Sequence, residues 1–334
     1  MAEQGPLYSY DPSNILDHEE FWCDHQGWLK EHGYMLRPRF RPGWVPSWKG
    51  TDKSPIHCED SEVLWYDQLM DATRISDGTL VALKRVHEAD HPHEVEISEF
   101  LLSDTLASDP HNHTVPIYEV LRVPDAEGTV LIVMPLLREY DFPRFDTVGE
   151  VIAFIRQILE GMEFMHRHLI AHRDANARNI MLDGKAMYPK SWHPAAPEFR
   201  PDFGGPAEHF TRTQRGDKTA PEYNNPSGEA NPFPTDIYHI GNMLREDFLQ
   251  DKIGFDFLSP LIADMVQDDP GKRPAIDEVI ARFEQIVKHL SSWKLRSRVI
   301  HRDDHPLIGI YRFITHWARR TCFLAMRVRP IPMP

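Results

Sequence analysis

The period of hydrophobic and polar positions changes along the chain. Residues 1–60 are irregular apart from one patch of helical spacing, Asp17 to His32, which carries Phe21, Trp22, Trp28 and Leu29. Pro- and Trp-rich chain from Arg37 to Trp48 follows and reads as an extended segment packed on something else. Strand signals begin at Leu64. Thr79 to Val86 is apolar and β-branched, and it follows the turn signal Ser76-Asp77-Gly78. Glu94 to Leu106 predicts a short helix with Ile97, Phe100 and Leu101 on one side. Val115 to Val123 and Thr129 to Met134 predict two further strands.

Helical spacing then takes over. Val151, Ile155, Ile158, Met162, Met165 and Leu169 repeat at intervals of four and three, which predicts a long helix ending near His168. Asp236 to Leu249 and Ile276 to Leu290 predict two more. Between them, residues 187–234 are Pro- and Gly-rich and too long for a simple connector. Near the end, Ile310, Phe313, Ile314, Trp317, Phe323 and Leu324 interleave with Arg312, Arg319 and Arg320. This predicts an amphipathic helix packed on the helical half; weak contact with a membrane surface is the alternative.

Composition narrows the classes. At 334 residues, with 41% hydrophobic positions, the chain can build one large domain or two lobes. No N-terminal stretch reads as a signal peptide, and the longest apolar run, Val130 to Leu137, is far too short to span a membrane. Cys23, Cys58 and Cys322 lie far apart, which argues against a disulfide framework and fits a cytoplasmic or nuclear protein. The net charge of −14 argues against a general nucleic-acid binder. The charge is uneven. Residues 287–334 hold ten Lys/Arg against two acids, a net +8, which leaves −22 for residues 1–286.

The strongest chemical signal is His172-Arg173-Asp174-Ala175-Asn176-Ala177-Arg178-Asn179, an H-R-D-x-x-x-x-N loop between the long helix and a short strand at Ile180 to Leu182. One acid there can accept the proton of an attacking hydroxyl. An amide oxygen five residues on can help hold Mg²⁺ against phosphates. His301-Arg302-Asp303 repeats the tripeptide but has Ile308 where the asparagine should stand, so it reads as a solvated turn. The pairs His91/His93 and His111/His113 read as solvated rather than metal-binding, since no third ligand has suitable spacing.

This loop makes the chain resemble the eukaryotic protein kinase family, and further motifs follow in order. Val81-Ala82-Leu83-Lys84 looks like V-A-I-K, and Glu94 like the acid that pairs with that lysine. Leu131-Ile132-Val133-Met134 looks like the strand leading to the hinge. Ala220-Pro221-Glu222 looks like A-P-E, Asp236 with Gly241 like the buried aspartate of the central helix, and Arg273 like the arginine that pairs with the A-P-E glutamate. The resemblance implies an α+β, bilobal protein kinase-like fold with a β-rich N-lobe, a helical C-lobe and a nucleotide cleft between them. It implies boundaries at 1–60 for an N-terminal extension packed on the core, 61–290 for the kinase-like domain (61–137 and 138–290 for its lobes) and 291–334 for a basic tail. The N-terminal Trp/Pro segment and the tail further resemble kinase-like proteins of mushroom-forming fungi.

The implied function is ATP- and Mg²⁺-dependent phosphoryl transfer to a protein Ser/Thr; the alternative is a pseudokinase that binds nucleotide or protein. Asp174 and Lys84 would be catalytic. Lys84, Glu94, Met134, Leu136 and Leu137 would hold ATP, and Asn179 and Asp202 would hold the metal. A small-molecule phosphotransferase is disfavoured by A-P-E and Arg273. Asn176 stands where Ser/Thr kinases usually have lysine, and Arg178 where tyrosine kinases usually have arginine.

Two departures from the family stand out. No glycine lies between Gly50 and Gly78, where a G-x-G-x-x-G lid belongs. Asp202-Phe203-Gly204 spells D-F-G, but Ala196 to Pro201 before it, with two prolines and two charges, makes a poor buried strand. Thr211-Arg212-Thr213-Gln214-Arg215 runs straight into Gly216-Asp217-Lys218, as though a segment between Arg215 and Gly216 were missing. Phosphoryl transfer is therefore expected to be weak or absent, with Asp202 off the metal.

Overall fold

The computed structural model describes residues 11–64, 66–184, 219–224 and 231–332. The chain divides into two compact units. Among the described residues, the first holds 11–103, 115–138 and 183–184; the second holds 104–114, 139–182 and everything from 219 onward.

The first unit is the β-rich one. Its five-stranded antiparallel sheet comprises β1 (Tyr34–Leu36), β2 (Leu69–Arg74), β3 (Leu80–His87), β4 (Glu119–Arg122) and β5 (Thr129–Pro135), in the order β1-β2-β3-β5-β4. Alternation along β3 buries Val81 and Leu83 on one face, while Val86, on the other, packs with Val130 and Ile132. The first strand comes from upstream of residue 61, and a single three-residue strand carries too little alternation to be read beforehand. Helix α1 (Asp17–Glu31) lays Trp22 and Leu29, both fully buried, onto this core beside Leu36, Phe40, Met70 and Leu83. Gly33, at φ +90°, lets the chain reverse from α1 into β1, a conformation open to glycine at little cost.

A buried ion pair knits the extension together. Arg39 forks onto the Glu19 carboxylate at 2.8 and 3.1 Å, and both side chains are fully buried. The same guanidinium donates to the carbonyls of Pro12 and Asn14, while Glu19 accepts from the backbone N–H groups of Leu16 and Leu64. Burial alone would raise the Glu19 pKa. The hydrogen bonds from Arg39 and the two backbone amides outweigh it and hold the carboxyl below its ordinary value. Asp60 adds a second knot, accepting from Trp44 Nε1 and from the Ser47 amide and hydroxyl.

The predicted helix from Glu94 divides into α2 (Glu94–Leu101) and α3 (Asp104–Ala107). Leu101 shares the Glu94 side of α2 and is buried. Phe100, about 100° further round, stays 49% exposed.

The second unit is helical: α4 (Val148–Arg167), α5 (Phe233–Leu244), α6 (Ser259–Met265), α7 (Ile276–His289), α8 (Ser292–Leu295) and α9 (Pro306–Ala325). A capping box starts α4. Thr147 Oγ1 accepts from the Glu150 amide at 3.2 Å, and the Glu150 carboxylate accepts back from the Thr147 amide. Val151, Ile155, Leu159 and Met162 then face a core shared with Ile240, Phe248, Met265 and Phe283. Leu169 is not part of that stripe. The helix stops at Arg167, and Leu169 sits beyond it at φ +60°, 83% exposed. Gly241 marks the closest approach of α5 and α6, since a Cβ there would come within 2.7 Å of the Met265 Cβ.

One other expectation changes. The second His-Arg-Asp is not simply a solvated turn. Ile300–His301 pairs with Lys252–Ile253, and His301 is 9% exposed with Nδ1 3.2 Å from Asp251. His111 and His113 are exposed as expected, with weak reach to Glu163 at 3.5 Å and Glu160 at 3.3 Å on α4.

Candidate active site

The chemistry-bearing residues of the first unit stand on adjacent central strands. Lys84 is on β3, in register with Ile132 of β5. Its ammonium bonds the Glu94 carboxylate at the start of α2, and both side chains remain partly open to solvent. A strand places the lysine, and the first turn of a two-turn helix places its counter-ion; together they fix the cation on the sheet. Met134 lies at the end of β5 opposite Ala82, and Leu136 and Leu137 follow it, all three part-buried.

In the second unit, Asp236 on α5 organises the loop. It is fully buried and accepts from the backbone N–H groups of His172 at 2.8 Å and Arg173 at 2.6 Å, with His166 Nε2 at 3.0 Å. Two amides aimed at one carboxylate force a tight turn, and Arg173 adopts φ +65° to make it. Burial holds the His172 pKa below its usual value against the opposing pull of Asp236 and Asp174.

The turn delivers Asp174 and Asn179 side by side. Asn179 Nδ2 donates to Asp174 Oδ2 at 2.7 Å and to the Asp174 carbonyl at 2.8 Å. Asn176, largely buried, donates to Asp174 Oδ1 at 2.5 Å. Both carboxylate oxygens are thereby oriented while Asp174 itself stays exposed. The residue types fit a Mg²⁺ partner. Asn179 commits its amide nitrogen to Asp174, and among the described residues its Oδ1 accepts no hydrogen bond, so a hard oxygen donor is free.

A bidentate pair braces the floor of this unit. Arg273 Nη1 and Nη2 meet the Glu222 oxygens at 2.7 and 2.8 Å, and Thr235 Oγ1 adds a bond at 2.7 Å. These contacts, Arg273 first, hold the Glu222 pKa down at about 2.

Thus the structure brings Lys84 to Glu94 and Asp174 to Asn179. Asp202, its D-F-G and the junction of Arg215 with Gly216 lie outside the described residues. Sequence reading missed two contributors. In the sequence Asn176 stands out only as a replacement for lysine, although its place two residues after Asp174 is suited to an Asx-type bond. His166, in the last turn of α4, carried no signal for its bond to Asp236, which lies 70 residues away. Residues 66–191 match the family model of the protein kinase domain. With the β-rich and helical units, that match gives an α+β, bilobal kinase-like fold and supports a protein kinase-like family.

Proposed function

We propose that this chain is a protein kinase-like phosphotransferase that moves a phosphoryl group from Mg²⁺-ATP to a Ser or Thr hydroxyl of a protein, at a low rate. The observation that carries the reading is the Asp236-held loop, which presents an oriented, exposed Asp174 next to Asn179. In this role Asp174 accepts the hydroxyl proton as the new oxygen–phosphorus bond forms and the bond to ADP breaks. Lys84, steadied by Glu94, binds phosphate oxygens, and Met134, Leu136 and Leu137 meet the adenine side. Asn179 Oδ1 would help hold the metal, and Asp202, preceded by a proline-rich stretch that makes a poor strand, is expected off it. Mg²⁺, when bound, neutralises charge on the transferring phosphates. Residues 61–290 are the kinase-like domain in this reading, between an extension and a basic tail. ATP as co-substrate suits the cytoplasm or nucleus.

A low rate follows from the missing lid. The stretch joining β1 to β2, residues 37–68, contains glycines only at 43 and 50, so no closely spaced glycines let backbone amides approach the phosphates. The same feature favours a second reading, a pseudokinase that binds nucleotide without transferring it. Purified protein incubated with Mg²⁺ and γ-labelled ATP separates the two. Slow labelling of itself or a generic acceptor, lost in Asp174→Asn, supports transfer. Nucleotide binding with no labelling above the Asp174→Asn background supports the pseudokinase.

A further inference from the structure

Helix α9 packs with its polarity reversed. Among its described side chains the most buried are His316 and Arg320, 5% and 6% exposed. The inward face is fastened by ions. Arg312 Nη1 lies 2.7 Å from Asp304, Arg319 Nη1 3.1 Å from Asp146, and His316 Nδ1 3.4 Å from Asp146. The Arg320 guanidinium caps the Trp293 ring at 3.6 Å from its centroid. These contacts fix the rotation of the helix.

At about 100° per residue, positions 310, 313, 314, 317 and 324 then form a stripe that borders the anchored face at Arg320 and runs on round the helix away from Asp146 and Asp304. Ile310, Phe313, Ile314 and Leu324 are each at least half exposed. Trp317 joins Phe313 and the exposed Trp293 at ring separations of 6.1 and 6.0 Å, so the patch is continuous across two elements. An apolar stripe left in water costs about 25 cal/mol per Å², and a patch of this kind marks an interaction surface.

Charge says what covers it. Residues 306–334 contain no Asp or Glu, in a chain whose first 286 residues are strongly acidic; of their five arginines, Arg312, Arg319 and Arg320 serve the anchored face. Arg327 and Arg329, both exposed, follow directly after α9. Arg296 binds the Val328 carbonyl, and Gly149 leaves room for the Pro330 carbonyl, so this basic segment is held against the start of α4. An apolar, aromatic stripe with cationic flanks fits the interface of an anionic bilayer. Among the described residues no helix is long and apolar enough to cross a membrane, so the helix would lie on the surface. We propose that α9, with Trp293, is a monotopic anchor that seats its apolar stripe in the interface of an anionic membrane, with Arg327 and Arg329 meeting the headgroups.

Sedimentation of the full chain with vesicles tests this. Vesicles of phosphatidylcholine with roughly one-third phosphatidylserine should carry the protein down, and pure phosphatidylcholine should carry down much less. Ile314→Asp should weaken binding tenfold or more, about the effect of placing a charge on the inserted face. Because Ile314 is exposed, its thermal midpoint should stay at the wild-type value. Arg327→Gln and Arg329→Gln should each weaken binding about fivefold. Wild-type protein left in the supernatant overturns the proposal, as does binding indifferent to Ile314→Asp. Self-association abolished by Ile314→Asp, without vesicle binding, would assign the face to a second copy of the chain and equally overturn it.

Discussion

His-Arg-Asp occurs twice in this chain, and its neighbours put the two copies to different uses. At 172–174 a fully buried carboxylate, Asp236, grips two consecutive backbone amides, and the third residue emerges clamped between the amides of Asn176 and Asn179. At 301–303 only His301 is in the two-residue strand that pairs with Lys252–Ile253; its ring turns to Asp251, and the aspartate is left exposed. The tripeptide therefore specifies no geometry by itself. What makes a reactive loop is the acid beneath it and the amides beside it.

The sharpest way to break this contrast is to remove each aspartate in turn. If Asp174 is the positioned base, Asp174→Asn should lower Mg²⁺-dependent transfer by about 10²–10⁴-fold. Asp303→Asn should leave the rate within about twofold, since an exposed acid away from the reaction has no means to act on it. Initial rates of labelled phosphate incorporation check both. Equal losses from the two substitutions would erase the distinction.

The next contrast concerns the supports. Asp236→Ala strands the His172 and Arg173 amides in a part-buried turn and should lower unfolding free energy by about 2–4 kcal/mol. Asp251→Ala should cost about 1 kcal/mol, because Lys252 keeps its bond to the Asp247 carbonyl. Urea titrations followed by tryptophan fluorescence measure both. A smaller effect belongs to Asn176. Asn176→Ala frees one Asp174 oxygen and also leaves the Arg178 amide without its acceptor, so kcat should fall about tenfold with KM for ATP little changed, alongside a stability loss of about 1 kcal/mol.

How far these arrangements could be read beforehand follows from their range in sequence. The stripe of α4, the strand carrying Lys84 and the eight-residue loop are local patterns, and they were legible. So was the pairing of Glu222 with Arg273, because a resemblance supplied its two ends. The Glu19–Arg39 hub was not, since two charges twenty residues apart have no period. The strand at Tyr34–Leu36 was too short to alternate. For α9 the pattern gave the stripe but not its direction. Periodicity locates a face, whereas whether that face turns inward depends on Asp146 and Asp304, far away or unremarkable in sequence.

The two histidines supply the finest comparison. Both have their pKa lowered, by burial first. At His172 that shift works against Asp236 and Asp174. At His301 Lys252 and Arg144 reinforce it, against Asp251 and Asp304. Among the described residues His301 Nε2 is buried without a hydrogen-bond partner, so a proton placed there would find no acceptor among them. Because the folded-state pKa values are lowered, the unfolded chain takes up protons that the folded chain refuses once the pH drops below about 6.5. The contribution to stability is thus flat above that pH and falls as the solution is acidified towards the folded-state pKa. Each histidine adds a slope of at most about 1.4 kcal/mol per pH unit. Urea midpoints between pH 7.5 and 5 should therefore decline. In His301→Gln the decline should be shallower, and the rest should trace to His172 and other groups. A His301→Gln curve parallel to the wild type would mean that the second tripeptide's histidine is as free to ionise in the fold as out of it, and the contrast between the two sites would lose its electrostatic half.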